Sequence, residues 1–488
     1  MEDSNNLTQK TASGVFWVFM ERICAQFVSF AVSIVLARLL MPDDYGLIAI
    51  VTVLINILNV IVTGGFSTSL IQKKDTDDMD YCSVFWFLVV FSIVAYTALY
   101  FLSPILESFY DYDLLVSVVR VMGLQIIIGG IKSVYTARLT RNMMFRKFFW
   151  ATFIGTAVSA VVSLFMAYRG YGVWALVSQY LINNTIDTII LSLVSKWIPK
   201  LKISLKRLKS LISFGWKVLA SSLIDTIYNN IRSLIIGAKY SSADLGYYNR
   251  GKQFPELIMN NISTSINSAV FPAMSSKQDS KEEVKSLTKK TMQTSSYIVM
   301  PLMFGLAIIA RPLVLLLLTE KWLPCVPFLQ ILCFNNALMP LQSANVQAIL
   351  ALGRSDINIK LNAIKKSFGL VVILISSQIS VIAMAYAGMI TGVFCLVVNM
   401  FPNKRLFNYG IKEQIMDILP YILLSAIMSF VIWWFKFLPI HSSVLIAIQV
   451  IVGAIIYILL SIIFKVESFY SIIRYLKKIK NANKRRSK

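Results

Sequence analysis

The stretch SFGWKVLASSLIDTIYNNIRSLIIGAKY, residues 213–240, is long and apolar enough to cross a bilayer, yet it carries Lys217, Asp225 and Arg232. A charge at the centre of a membrane helix costs roughly 2.5–3.5 kcal/mol or more. Either the stretch is not a membrane helix, or its charges face something other than lipid. The rest of the chain removes the first option. Spanning the hydrocarbon core takes about 20 predominantly apolar residues, and apolar runs recur at 84–102, 153–168, 298–318, 419–434 and 444–464. Of 488 residues 57% are hydrophobic, against about 45–50% for a soluble chain. The sequence reads as an all-α polytopic membrane protein.

Charge then sets the expected orientation. A net charge of +23 would suggest nucleic acid in a soluble protein, but here the cations concentrate in alternate loops, the positive-inside pattern. RLTRNMMFRK carries Arg138, Arg141, Arg146 and Lys147, and SKWIPKLKISLKRLKS carries Lys196, Lys200, Lys202, Lys206, Arg207 and Lys209. After Phe464 nine Lys or Arg face Glu467 alone, whereas SPILESFYDYD and TEKWLP are nearly free of positive charge. Basic loops and both termini are therefore expected in the cytoplasm, beside anionic membrane lipids, with no nucleic-acid partner. The polar opening MEDSNNLTQKTAS is not expected to be a cleaved signal. Five scattered cysteines without a C-x-x-C pair read as packing residues, and a single histidine, His441, argues against zinc chemistry and His-based catalysis. No cofactor is expected.

Apolar segments counted against the loop alternation give about fourteen transmembrane helices. The expected layout is a tail (1–12), a six-helix lobe (13–195), a basic linker (196–212), a second six-helix lobe (213–402), two further helices (403–464) and a basic tail (465–488). An internal repeat supports this division. Gly14, Ala37–Arg38, Asp44 and Gly46 recur as Gly215, Ala238–Lys239, Asp244 and Gly246, and Gly14–Ala37 and Gly215–Ala238 are both 23 residues apart. Six intervening helices leave the halves in one orientation, a parallel repeat about a pseudo-two-fold axis normal to the membrane.

At 100° per residue, Lys217, Asp225 and Arg232 fall within about an 80° arc, so one face of their helix turns from lipid. The next helix carries a stripe of Gln253, Glu256, Asn260, Thr264 and Asn267, and the first carries Arg22, Gln26, Ser29 and Ser33. Arg120 lies within an apolar run, and Asn335, Asn336, Gln342, Asn345 and Gln347 add amides at membrane depth. Such groups either hold a bundle together or line a substrate path. The excess of cations points to a water-filled cavity for an anionic cargo. The run GYYNRGKQ, 246–253, fits G-x-x-x-x-G-K but has Gln253 where a hydroxyl is required and follows a membrane helix, so it is not read as a nucleotide loop.

Around that same run, SSADLGYYNRGKQFPELIMNNISTSINSAVFPAMSSKQD resembles the second-lobe signature of Wzx-type polysaccharide flippases. These belong to the polysaccharide transporter branch of the multidrug/oligosaccharidyl-lipid/polysaccharide exporter superfamily. ARLLMPDDYGLIAI, LIQKKDTDDMDYCSVFW, YRGYGVWALVSQ, VSKWIPKL, TEKWLPCVPFLQIL and ALGRSDI extend the resemblance in family order from Gly14 to about Asn399, particularly to O-antigen, colanic acid and teichuronic acid exporters. The resemblance implies a two-lobed, V-shaped bundle in the bacterial inner membrane. It would move undecaprenyl-diphosphate-linked oligosaccharide by alternating access, with polysaccharide polymerase and chain-length machinery as further partners. It implies no enzyme.

The family's cationic cavity maps by residue type to Arg22, Arg120, Lys217 and Arg232, the expected diphosphate ligands, and Gln26, Gln253, Asn260, Asn267, Asn335 and Asn345 are the expected polar lining. With no ATP site, a proton or sodium gradient is the expected energy source. Glu21, Asp187, Asp225 and Glu256 either bind that ion or neutralise neighbouring Arg or Lys. The rival readings are a multidrug antiporter of the same superfamily, a membrane glycan polymerase or acyltransferase, and a scaffold for glycan assembly. The antiporter predicts cationic cargo. The enzyme would want a large outer loop or an intramembrane histidine, and the scaffold leaves the cavity charges without a purpose.

Overall fold

The computed structural model describes residues 24–438, 440–474 and 477, and among them the chain is helical without a strand. The first unit, 1–246, contains α1 (Cys24–Leu39), α2 (Pro42–Thr63), α3 (Phe66–Gln72), α4 (Asp78–Tyr110), α5 (Leu115–Met122), α6 (Leu124–Arg141), α7 (Phe145–Tyr168), α8 (Val173–Ser195) and α9 (Leu205–Lys239). The second unit, 247–488, takes most of α10 (Ser242–Ser275), then α11 (Lys281–Leu317), α12 (Val326–Ala337), α13 (Met339–Ala351), α14 (Ser355–Ser376), α15 (Val381–Met400), α16 (Asn403–Phe407), α17 (Ile411–Trp434) and α18 (Ser442–Ile463).

Local chemistry sets the boundaries. Asp77 accepts the backbone N–H of Asp80 and opens α4, Ser280 opens α11 and Ser380 opens α15 in the same way. Among the described residues nine helical segments are long and apolar enough to cross a membrane. The other long helices are α1, described only from Cys24, and α8, α9, α10 and α14, whose amides and charges lower their hydropathy. The apolar spans leave wide faces uncovered. Only 22% of the most apolar window of α18 is buried, although its mean hydropathy is 2.8. Exposed Val444, Ile451, Ile455 and Leu459 there make a face that suits hydrocarbon, not water.

In the first unit α7 pairs with α8, α6 packs on α4 and α8, and α9 lies along α2, α3 and α4. Trp197 closes this bundle, with its ring against Tyr81, Phe85 and Tyr135 at 5.8–6.0 Å. In the second unit α11 is central, packing on α12, α13, α17 and α18. The G-x-x-x-x-G-K lookalike lies inside α10, with no phosphate-binding turn. A Cβ on Gly251 would come within 2.8 Å of Leu329 N and Phe328 Cβ, so this glycine permits helix packing. Arg250 is buried, lies 5.6 Å from the Trp322 ring and donates to Gln253 Oε1 at 2.6 Å.

The repeat is visible in contact geometry. Asp44 accepts the backbone N–H of Met41 at 3.0 Å, and Asp244 that of Ser241 at 3.3 Å, closing equivalent turns before α2 and α10. The glycines two residues on meet the opposite turn. A Cβ on Gly46 would lie 1.9 Å from Ser242 O, and one on Gly246 would lie 2.2 Å from Pro42 O. The contact is reciprocal, 46 on 242 and 246 on 42. Gly65 and Gly215 make a second backbone approach, where a Cβ on Gly65 would meet Gly215 O at 2.1 Å.

Candidate functional site

Side by side in the first unit, α2 and α9 form an open, shallow depression of about 380 Å³. Helix α2 supplies Asn56, Asn59 and Thr63 at i, i+3 and i+7, hence one face. Helix α9 supplies Thr226, Asn229 and Asn230, and Val60 is the one apolar lining residue. Thr63 Oγ1 donates to Asn59 O at 2.7 Å and Asn230 Nδ2 to Thr226 O at 2.8 Å, so these groups bond within their own helices. Asn59 Oδ1 is buried, sits where a side chain on Gly129 of α6 would collide, and has no hydrogen-bond partner. A buried amide oxygen left unsatisfied costs about 1–3 kcal/mol.

The three charges of α9 lie on another arc of the helix, outside the lining of this pocket. Arg232 is partly buried with its Nε unpartnered, while Lys217 and Asp225 are exposed. Helix α9 is one continuous helix that carries both the three charges and the Thr226, Asn229 and Asn230 lining of the pocket. Sequence reasoning passed over Asn56, Asn59, Thr63, Asn229 and Asn230. The i, i+3, i+7 spacing inside the apolar run of α2 was the available signal.

Other expected site residues are spread through the two units. Glu21 and Arg22 lie outside the described residues, as does the side chain of Asn267. Gln26 is half-buried on α1. Arg120 is held by α4, donating through Nε to Ser103 Oγ at 3.1 Å with its guanidinium 4.1 Å from the Tyr100 ring. Asp187 is buried on α8 and pairs with Lys132 of α6 at 2.5 Å.

In the second unit Glu256 pairs with Lys252 at 3.4 Å, Gln253 accepts from Arg250, and Asn260 is exposed. Asn335 packs against Gly392 of α15. Asn345 is fully buried, accepts from Asn403 and donates to Leu341 O. Thus Asn345 serves the packing of α13 on α16. Among the described residues no three His, Cys, Asp or Glu side chains group as a metal site.

A charged node sits at the opposite end of α9. Arg207 in its first turn pairs with Asp77 and approaches Asp80 at 3.6 Å, Lys73 pairs with Asp80 at 2.6 Å, and Arg138 with Asp78 at 3.1 Å. Arg141 donates to Leu70 O and Thr76 Oγ1 at the end of α3. The hydrogen bond from Arg207 lowers the Asp77 carboxyl to about 2, helped by the Asp80 backbone N–H. The acidic run KKDTDDMD, 73–80, is therefore a clasp joining α3, α4, α6 and α9.

A family model described as polysaccharide biosynthesis protein matches residues 35–327. The teichuronic acid biosynthesis protein TuaB of Bacillus subtilis is 22% identical, covering 93% of this chain and 96% of its own. The lipopolysaccharide biosynthesis protein WzxC of Escherichia coli is 22% identical over 77% of each chain. Among solved structures, the lipid II flippase MurJ in an inward closed conformation superposes with TM-score 0.77 at 15% identity, covering 93% of this chain and 98% of that one. An inward-facing multidrug transporter of the multidrug/oligosaccharidyl-lipid/polysaccharide exporter superfamily gives 0.59 at 13% identity, covering 78% and 95%.

Proposed function

This chain belongs to the polysaccharide biosynthesis protein family, and from that membership we propose that it is a flippase carrying lipid-linked oligosaccharide across the bacterial inner membrane by alternating access. The cargo is an undecaprenyl-diphosphate-linked glycan destined for a surface polysaccharide. The relatives' roles in teichuronic acid and lipopolysaccharide biosynthesis support this class of cargo. The chain crosses the membrane fourteen times with both termini in the cytoplasm, and polymerase and chain-length machinery receive its product. It performs transport, not glycan chemistry.

The observation that carries the reading is the α2–α9 amide pocket, together with Arg232 two residues beyond its Asn230 on the same helix, whose Nε is buried without a partner. Amides and hydroxyls suit sugar hydroxyls, and a guanidinium fork suits diphosphate oxygens. Arg22, Arg120 and Lys217 complete the anion site in this proposal, and the polyprenyl chain stays in lipid. A basic site also disfavours the cationic cargo of a multidrug antiporter. A proton or sodium gradient drives the cycle, with Asp225 and Glu256 as its candidate sites. Asp225→Asn and Glu256→Gln variants that both retain full gradient dependence would remove that role.

The deciding experiment measures lipid-linked glycan on the inner leaflet alongside protein abundance. Arg232→Ala is expected to accumulate cargo there, by roughly ten-fold or more for one charged hydrogen bond worth about 1.5–3 kcal/mol, and Arg232→Lys should rescue only partly. Asn59→Leu should block glycan entry at normal abundance. Wild-type export from both Arg232→Ala and Asn59→Leu at normal abundance would overturn the assignment.

A further inference from the structure

The second unit holds a groove of about 950 Å³ where α15 passes through α16 into α17. Lys285, Lys404, Arg405 and Lys412 line it against one carboxylate, Glu413. That carboxylate is committed to Lys285 at 2.8 Å, and Lys285 also donates to Asn408 O at 2.9 Å. Lys404, Arg405 and Lys412 are exposed and make no ion pair among the described residues. Gly410 opens the 24-residue helix α17 without a side-chain cap, so the first backbone N–H groups add to the positive field beside the groove.

Two apolar stripes lead away from these cations. On α15, Ile390, Val397 and Phe401 just past its end are exposed by 57%, 42% and 63%. On α17, Met416, Leu419 and Leu423 are exposed by 63%, 45% and 52%. Helix α15 ends at the groove and α17 begins there, so both stripes start from it. A loop that only obeys the inward bias of positive charge needs neither a groove nor converging apolar tracks.

We propose that this groove seats the phosphate of an anionic phospholipid of the surrounding bilayer, with its acyl chains along the α15 and α17 stripes. Lys404, Arg405 and Lys412 supply the charge the phosphodiester needs, while the Lys285–Glu413 pair fixes the floor. Cation and phosphate meet at the headgroup level, where each Lys or Arg is worth about five-fold in affinity. The site is separate from the α2–α9 pocket and does not depend on which glycan is carried.

The test is native mass spectrometry of the full chain in detergent, titrated with dioleoyl-phosphatidylglycerol and, separately, dioleoyl-phosphatidylcholine. The wild type is expected to retain phosphatidylglycerol at least ten-fold better than phosphatidylcholine. The triple variant Lys404→Gln, Arg405→Gln, Lys412→Gln should lose that preference with an unchanged melting temperature. Lys200→Gln with Lys202→Gln, in another basic loop, should keep it. Should the triple variant fold poorly, Arg405→Gln alone should lower retention about five-fold. Equal retention of the two lipids by wild type, or an undiminished preference in the folded variant, overturns the proposal. So does displacement of phosphatidylglycerol by millimolar inorganic phosphate, which would identify a seat for free phosphate instead of lipid.

Discussion

Lys132 and Asp187 show what an intramembrane charge can mean when its partner is known. Asp187 on α8 is expected from sequence either to bind the driving ion or to neutralise a cation. The 2.5 Å contact with Lys132 gives it a partner 55 positions away in the chain, which no local pattern could have named. Lys132 keeps about 30% of its side chain exposed, so removing Asp187 leaves a partly solvated cation and costs less than the roughly 3–5 kcal/mol of a fully buried pair. Asp187→Asn should therefore lower the melting temperature in detergent and the amount of protein in the membrane. Lys132→Met with Asp187→Leu should recover most of that loss, since an apolar pair removes the stranded charge. A normal melting temperature for Asp187→Asn would show that the pair contributes little to the fold. Arg232 is the opposite case, legible as a charge in an apolar run because it needs no protein partner to be noticed.

At the level of elements, the clasp at 73–80 explains a stretch that resemblance marked and chemistry had left unexplained. Asp77 starts α4 and also receives Arg207 from α9. Its carboxyl is held at about 2, below the ordinary 3.8, chiefly by that hydrogen bond. The stabilisation is therefore fully present above about pH 4 and lost as pH falls through 2, the direction for a depressed carboxylate. Because the Asp77 side chain is about half exposed, solvent screening limits the effect to roughly 1 kcal/mol. Thermal unfolding in detergent should show this acid-side loss in the wild type and a smaller one in Arg207→Ala, whose Asp77 titrates nearer its ordinary value. Identical acid profiles would leave the clasp without energetic weight. Element legibility was uneven for a related reason. Apolar runs announce α4, α17 and α18, whereas the Asn face of α2 hides in a strongly hydrophobic segment and matters only because α9 lies beside it.

For the whole molecule, the helical class and the membrane setting were legible because hydropathy and loop charge are one-dimensional signals. The amide pocket and the Lys132–Asp187 pair were not, because each depends on which helices become neighbours. The charge asymmetry makes a test of orientation direct. Reporter fusions after Lys147, after Arg207 and in the tail should report cytoplasm, and fusions near Asp111 or Asp244 the outside. An exchange between the two sets would invert the proposed topology.

The reciprocal seat of Gly46 on Ser242 and Gly246 on Pro42 carries a consequence for inheritance. Doubling a gene ordinarily relaxes selection, since each copy can drift while the other serves. Here the copies press on each other through backbone, so neither glycine has a spare. In a saturation library scored for export, 46 and 246 should tolerate little beyond glycine. Paired losses should also cost less than the two single losses added together, because one forced separation already admits the second side chain. An ancestral duplication would then persist longest at the points where its halves touch, long after the rest of the two halves had ceased to look alike.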